Sequence, residues 1–293
     1  MSYRSGFVAL VGRPNTGKST LINQLVGQKI SIVSEKPQTT RNRIMGICHL
    51  PETQIIFFDT PGLHHANIAL NRKMVRSALS CLCEVDLILH LVEPIPPAQE
   101  DAWIAHHLHS VKTPKVLAVN KIDLLASHNS LLPILDAYNL QKIYADLVPI
   151  SAKTRENTPR LLSTICKHLP VGEALFPEDT VTDQPVRLLA AEIVREKAIR
   201  ATRQEIPYVI AVEIETFEES DSGITIHALL FVERDSQKGI LIGHRGSMLK
   251  DIGTRARQEL SGLLGKPVFL GLWVKVKPDW RENDAFLKQM GYG

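Results

Sequence analysis

Short apolar runs alternate with helix-like segments over the first 170 residues. The runs at 7–11, 85–92, 116–119 and 147–150 have the length and continuity of buried parallel strands. Helical spacing of apolar residues follows at 71–83, 99–108 and 159–169, and two neighbouring strands are predicted at 44–49 and 54–58. Strands that alternate with helices predict an α/β fold, with a doubly wound, mostly parallel sheet.

The pattern changes at residues 170–185, which contain three prolines and several acids without periodicity. We therefore predict a domain at 1–170, a linker at 171–185 and a second, smaller domain at 186–293. The second domain is predicted to contain, in order, a helix, two strands, a helix, a glycine loop that follows an apolar strand-like turn, a helix to about residue 263 and a strand at 268–276. This order predicts an α+β fold.

Composition adds limits on partners and location. A chain of 293 residues suits about two domains, and its net charge of +3 is too small to indicate a partner. Four cysteines without a C-x-x-C pair are expected to be reduced and mostly packed, as in a cytoplasmic protein. The first apolar run does not have the form of a signal peptide, and no run of about 20 apolar residues indicates a transmembrane segment. Peripheral contact with a membrane remains open.

A glycine-rich motif lies between the first strand and an amphipathic helix. Its residues are Gly12, Arg13, Pro14, Asn15, Thr16, Gly17, Lys18, Ser19 and Thr20. The spacing matches G-x-x-x-x-G-K-[ST], in which backbone N–H groups and a helix N-terminus surround a polyphosphate. Lys18 is expected to reach the β- and γ-phosphates, and the Ser19 hydroxyl is expected to bind Mg²⁺. The motif predicts a nucleoside triphosphate site.

A second motif selects the base. Asn120-Lys121-Ile122-Asp123 follows a predicted strand, and the Asp123 carboxylate can accept both N1–H and the exocyclic amine of guanine. Adenine offers no such pair of donors, which argues against a P-loop kinase. Asn120 is expected to tie this loop to the phosphate loop, and Lys121 to lie over the base. A backbone N–H is expected near the guanine oxygen from a third segment, Ser151, Ala152 and Lys153.

Two further segments are candidates for nucleotide-dependent switches. One follows a strand and consists of Asp59, Thr60, Pro61 and Gly62. Asp59 is expected to hold the Mg²⁺ shell, and Gly62 to offer its N–H to the γ-phosphate. Thr39 and Thr40 lie in a polar segment, and we assign the second Mg²⁺-binding hydroxyl to Thr40. A solvated loop is the alternative for this pair.

The second domain carries the motif Gly243-His244-Arg245-Gly246 before its long helix. This is the form of the G-x-x-G loop with which KH domains clamp single-stranded nucleic acid, although a simple helix-capping turn is an alternative. The order of elements fits a type II KH domain. The predicted RNA-binding residues are Lys238, Ile242, Gly243, His244, Arg245, Gly246, Lys250 and Arg255.

These motifs together resemble the Era family of bacterial ribosome-assembly GTPases over nearly the whole chain. The similarity extends to less common stretches of the sequence: Gln38–Arg41, Ala191–Lys197, Ile206–Tyr208, Val232–Lys238 and Leu272–Lys277. The resemblance implies a P-loop GTPase domain followed by a type II KH domain, with GTP and GDP as ligands and Mg²⁺ as cofactor. It also implies binding to the 3′ end of small-subunit (16S) ribosomal RNA and a role in 30S subunit assembly. We further expect a monomer, with possible peripheral association at the inner membrane.

Hydrolysis is expected to be slow without help. Ras-like enzymes orient the attacking water with a Gln after the D-x-x-G glycine, whereas this chain has Leu63. We hypothesise that Asn15 helps to hold K⁺, as the same loop position does in related GTPases; a loop-stabilising role is the alternative. The predicted catalytic residues are Lys18, Thr40, Gly62 and Asn15.

Some readings stay open at this point. The main alternative function is a regulatory GTPase whose C-terminal domain docks a protein or membrane surface. Arg41 and Arg43 suit either a switch segment or an RNA contact.

Overall fold

The computed structural model describes residues 2–292, apart from the side chain of His128. The chain divides into two compact units. The first takes the chain up to Ser31, Thr40–Asn67 and Asn71–Asp183, and the second takes Ile32–Thr39, Ile68–Leu70 and the chain from Gln184 onward. Within residues 2–292, no helix has the length and apolar character needed to cross a membrane.

The first unit contains a six-stranded sheet. Its strands are β1 (Arg4–Val11), β2 (Ile44–Leu50), β3 (Thr53–Asp59), β4 (Leu87–Val92), β5 (Lys115–Val119) and β6 (Asp146–Pro149). Their order is β2-β3-β1-β4-β5-β6, and every neighbouring pair is parallel except β2 and β3. The prediction of a doubly wound, mostly parallel sheet is confirmed.

The helices along this part of the chain cover both faces of the sheet. They are α1 (Lys18–Val26), α2 (Ala69–Cys81), α3 (Gln99–His109), α4 (Leu131–Asn139) and α5 (Thr158–His168). One core joins strand residues such as Leu10 and Leu89 to α1 and α5, and the other joins Val11 and Ile88 to α2 and α3. Burial on both faces explains why these strands are continuous apolar runs. Helix α4 was not predicted from the sequence.

Residues 171–183, within the predicted linker, pack along the first unit. The Ile47 N–H donates to the Val181 carbonyl at 2.9 Å, and the Thr182 hydroxyl donates to the Met45 carbonyl at 2.6 Å. This part of the segment therefore continues the hydrogen bonding of β2 instead of crossing solvent. The boundaries 1–170, 171–185 and 186–293 stay predictions, and their terminal residues 1 and 293 lie outside the described residues.

The second unit is a three-stranded sheet with helices. Its elements are α6 (Val186–Ala201), α7 (Ile206–Val209), β7 (Ala211–Ser220), β8 (Gly223–Val232), α8 (Asp235–Ile242), α9 (Ser247–Leu264), β9 (Val268–Val276) and α10 (Asp284–Gln289). β7 and β8 are antiparallel, and β8 and β9 are parallel. Residues of α6, α8 and α9 form one core with the sheet.

The helix predicted before the glycine loop is α8, but the expected strand-like turn directly before Gly243 is wrong, because residues 239–242 end this helix. The Gln237 side chain accepts the N–H groups of Glu233 and Arg234 at 2.9 and 3.0 Å, which stabilises the start of that helix. An apolar run as short as Ile240–Ile242 has no periodicity that distinguishes strand from helix.

Candidate nucleotide and RNA sites

The phosphate loop connects β1 to α1 in a conformation that requires its glycines. Gly12 and Gly17 have φ values of 147° and 97°. A Cβ on Gly12 would lie 2.2 Å from the Leu91 carbonyl oxygen, and one on Gly17 would lie 2.3 Å from Asn120 Nδ2. The backbone of β4 and the Asn120 side chain therefore leave no room for a side chain at Gly12 and Gly17.

Lys18 is buried at the start of α1. Its Nζ donates to the carbonyls of Gly12 and Arg13 at 3.1 and 2.8 Å. Burial lowers the pKa of Lys18 to about 8, although the nearby charge of Asp59 opposes this shift. The ammonium group is thus held inside the loop, where its charge can attract a bound phosphate.

Three oxygen-bearing side chains from distant segments converge beside the loop. Ser19 Oγ lies 2.8 Å from Thr40 Oγ1 and donates to Asp59 Oδ2 at 2.7 Å. Asp59 also accepts from the Ser31 hydroxyl at 2.7 Å, and its other oxygen, Oδ1, is buried without a hydrogen-bond partner among the described residues. Burial raises the pKa of Asp59, and the hydroxyl donors oppose this shift. Two hydroxyls and a carboxylate with an unused oxygen fit the hard oxygen ligands that Mg²⁺ takes.

The structure separates the two threonines of the first switch segment. The Thr39 hydroxyl donates to the Lys36 carbonyl at 2.7 Å, whereas Thr40 lies beside Ser19. This geometry favours Thr40.

The predicted base-reading residues come together at the ends of β5 and β6. Asn120 Nδ2 donates to the Thr16 carbonyl and its Oδ1 accepts the Ala152 N–H, both at 2.8 Å. The Ser151 hydroxyl donates to Asp123 Oδ1 at 2.6 Å, which holds the carboxylate in place while Asp123 itself stays exposed. The Lys121 ammonium lies 2.5 Å from Glu93. Three loops are thereby joined into one site.

The second switch segment contacts the phosphate loop directly. A Cβ on Gly62 would lie 2.7 Å from the Pro14 nitrogen, so this glycine allows the two segments to touch. The next N–H, of Leu63, donates to the Gly12 carbonyl at 3.0 Å. The Leu63 side chain is fully buried in the core with α2 and α3, and it has no group that could orient water.

The G-x-x-G turn connects α8 to α9. Gly243, Arg245 and Gly246 all have positive φ, at 74°, 49° and 79°. A Cβ on Gly243 would lie 2.7 Å from Met248 Cβ, whereas Gly246 has no atom within 4 Å of its ideal Cβ. The side chains of His244 and Arg245 are exposed. A bare backbone at a helix N-terminus with a cation beside it suits a phosphodiester.

Two further predicted RNA-binding residues on α9, Lys250 and Arg255, lie at different distances from this turn. Lys250 is exposed in the first turn of α9. Arg255 lies eight residues after Ser247, about 12 Å along the helix axis, and its Nε lies 2.9 Å from Asp251. The structure therefore places Lys250 near the G-x-x-G turn and Arg255 away from it.

Comparison with known proteins identifies both halves of the chain. A family model described as 50S ribosome-binding GTPase matches residues 7–121, and a KH domain model matches residues 205–281. GTPase Era of Geotalea daltonii is 51% identical over 292 residues, which is 99% of this chain and 98% of the relative. The chain belongs to the GTPase Era family. GTPase Era of Geobacter metallireducens is 48% identical over the same shares of both chains.

Two solved Era structures match the whole length. Era in complex with MgGDPNP and nucleotides 1506–1542 of 16S ribosomal RNA is 44% identical, with a TM-score of 0.97 and 99% of each chain covered. A point variant of Aquifex aeolicus Era bound to GDP·AlF4⁻ is also 44% identical, with a TM-score of 0.96 and 99% of each chain covered. The Era family assignment and the P-loop GTPase and KH folds agree with the sequence-based predictions, and the chain is a GTPase.

Two residues of this Era-type site lie outside the sequence motifs and were not predicted. Ser31 donates to Asp59 although it lies in a polar segment with no motif, and Glu93 pairs with Lys121. The signal available for Glu93 was its position directly after β4, at the same edge of the sheet as the other site loops.

Proposed function

We propose that this chain is a GTP-hydrolysing switch that binds the 3′ end of 16S ribosomal RNA and assists 30S subunit assembly. The observation that carries this proposal is the whole-chain match to an Era structure solved with MgGDPNP and an RNA fragment. The positive-φ G-x-x-G turn with exposed His244 and Arg245 supports RNA binding by the second unit.

The test uses the full chain and RNA that ends in the small-subunit 3′ sequence. We expect tight binding that weakens as salt rises, because phosphate contacts release counterions. A scrambled RNA of the same composition is expected to bind more weakly, and only the specific RNA is expected to change the rate of GTP hydrolysis. Equal binding of both RNAs, with no effect on hydrolysis, would contradict the proposal.

The nucleotide contacts are assigned as follows. Backbone N–H groups of Gly12–Thr20 and the Lys18 ammonium surround the phosphates, and Gly62 offers its N–H to the γ-phosphate. Asp123 reads guanine, while Asn120 and Ala152 hold the base loop against the phosphate loop. The donors converge on one site, which favours electrostatic stabilisation of the transferred phosphoryl group.

Mg²⁺ is assigned to Ser19, Thr40 and Asp59. The unused Oδ1 of buried Asp59 and the two adjacent hydroxyls make this the best-supported cation position. A bound Mg²⁺ would supply charge that stabilises the β- and γ-phosphate oxygens. Hydrolysis without a partner is expected to be slow, since Leu63 cannot orient water.

A K⁺ ion at Asn15 is the finer part of the cofactor proposal. Asn15 is exposed and has a left-handed φ of 65° in the phosphate loop. Turnover measured in K⁺ and in Na⁺ at equal ionic strength tests this role, and equal rates would remove it. A monomeric state and peripheral membrane association stay predictions.

A further inference from the structure

A buried carboxylate lies beneath the phosphate loop. Asp101 belongs to the first turn of α3, and its side chain has no exposed area. Its Oδ1 lies 3.0 Å from Arg13 Nε, and its Oδ2 accepts the Ala98 N–H at 2.9 Å. A carboxylate removed from water needs a charged or hydrogen-bonded partner, and Asp101 has one of each.

Arg13 connects this carboxylate to the phosphate-binding machinery. The Arg13 carbonyl accepts from Lys18 Nζ at 2.8 Å and from the Thr16 hydroxyl at 3.0 Å. The Arg13 side chain is 17% exposed and is directed toward α3. The position of the guanidinium therefore limits where the carbonyl that holds Lys18 can lie.

Two other carboxylates are within ion-pair range of Arg13, but they are farther from it and more exposed than Asp101. Glu93 and Glu100 each lie 3.8 Å away, and their side chains are 33% and 55% exposed. Exposed pairs at this distance contribute little, because water screens them. Asp101 is nearer to Arg13 and buried, so among these carboxylates it contributes most to holding the Arg13 guanidinium in place.

We propose that Asp101 is a positioning residue for the phosphate loop, acting through the Arg13 guanidinium to hold the carbonyl that orients Lys18. This inference rests on the proposed assignment of Gly12–Thr20 as the phosphate site. Since both GTP and GDP carry the α- and β-phosphates, loss of the pair should weaken both nucleotides by a similar factor. Guanine preference should not change, because the base loop is not involved.

The experiment measures GTP and GDP dissociation constants, and kcat against KM, for the full chain and its variants. Asp101→Asn keeps an oxygen for the Ala98 N–H and removes the charge that fixes Arg13. We expect it to weaken both nucleotides by about tenfold, mainly through KM, and Asp101→Glu to recover most of this loss. Glu100→Gln, one residue away on the exposed side, is the matched control and is expected to stay within about twofold of the wild type.

A double-mutant cycle separates positioning from general destabilisation. Arg13→Gln is expected to lose about as much affinity as Asp101→Asn, and the double variant no more than the larger single loss. Asp101→Asn matching Glu100→Gln, or losses that multiply in the double variant, would overturn the proposal. If Asp101→Asn does not fold, the nucleotide affinity of the double variant, which has neither charge, is compared with that of Arg13→Gln. Equal affinities support the proposal, and a further loss in the double variant overturns it. Failure of the wild type to bind GTP would instead contradict the phosphate-site assignment.

Discussion

The phosphate loop and the G-x-x-G turn are both candidate phosphate-binding loops, but they differ in burial. Both place glycine backbone before a helix N-terminus, at α1 and α9. In the phosphate loop, Lys18 is buried and the glycines touch a neighbouring strand and Asn120. In the G-x-x-G turn, His244 and Arg245 are exposed, and Gly246 faces open space.

The phosphate loop is therefore a buried site held by its neighbours. The side chains of the G-x-x-G turn, Gly243 to Gly246, are exposed, and we call this turn the open clamp. The phosphate loop depends on contacts with residues far away in sequence, such as Asn120 and Asp59. The turn depends on its own backbone dihedral angles and on charges in water. We therefore expect substitutions in the first site to change nucleotide chemistry strongly, and substitutions in the second to change RNA affinity while leaving hydrolysis intact.

The largest expected effect is on base selection. Asp123→Asn places an amide donor opposite guanine donors, and we expect GTP affinity to fall by roughly 100-fold while xanthosine triphosphate affinity rises. Competition binding with both nucleotides measures this shift. Asp136→Asn, the same change at an exposed position of α4, serves as the control. An unchanged guanine preference would remove Asp123 from the base-reading role.

Substitution of each switch threonine tests which of the two hydroxyls hydrolysis requires. Thr40→Ala removes a hydroxyl beside Ser19 and is expected to lower kcat by roughly 30-fold and to raise the Mg²⁺ concentration needed for hydrolysis. Thr39→Ala removes only the local bond to the Lys36 carbonyl and is expected to change kcat by less than about threefold. Single-turnover hydrolysis across a Mg²⁺ series measures both. The opposite ranking would reassign the ligand to Thr39.

A matched pair of glycine substitutions tests the open clamp. Gly246→Asp adds a negative charge at a φ of 79°, and we expect RNA affinity to fall by roughly tenfold with normal GTP hydrolysis. Gly262→Asp makes the same change near the far end of α9, where an added Cβ would have no neighbouring atom within 4 Å. This variant should leave RNA binding unchanged. Filter binding and GTPase assays on the same samples give the result. Loss of both activities in Gly246→Asp would indicate misfolding instead of a clamp defect.

The smallest effect concerns two basic residues on α9. Lys250→Ala is expected to weaken RNA binding by about threefold and to lower the slope of affinity against salt by about 1. Arg255→Ala should have less effect, because Arg255 is farther from the turn and pairs with Asp251. RNA binding measured over a salt series separates the two. Equal losses would extend the RNA path along the helix.

Several features of the site followed from local sequence. The spacing of Gly12, Gly17 and Lys18 demands a strand, a tight turn and a helix, and the structure has all three. The helix before the glycine loop was predicted, but its last residues were expected to form a strand-like turn, because a short apolar run lacks periodicity. Helix α4 was not predicted. Local rules work where the chemistry depends on neighbours in the chain.

The sequence by itself determined the nucleotide class and the presence of a G-x-x-G turn, because these depend on backbone conformations that glycine and short spacing impose. Only the tertiary structure showed what the hydroxyls of Thr40 and Thr39 contact and brought Ser31 to Asp59. It also placed Asp101 under Arg13, although the two residues are far apart in the chain. Such contacts depend on which strand ends meet at one edge of the sheet, and that packing is not encoded in any single motif.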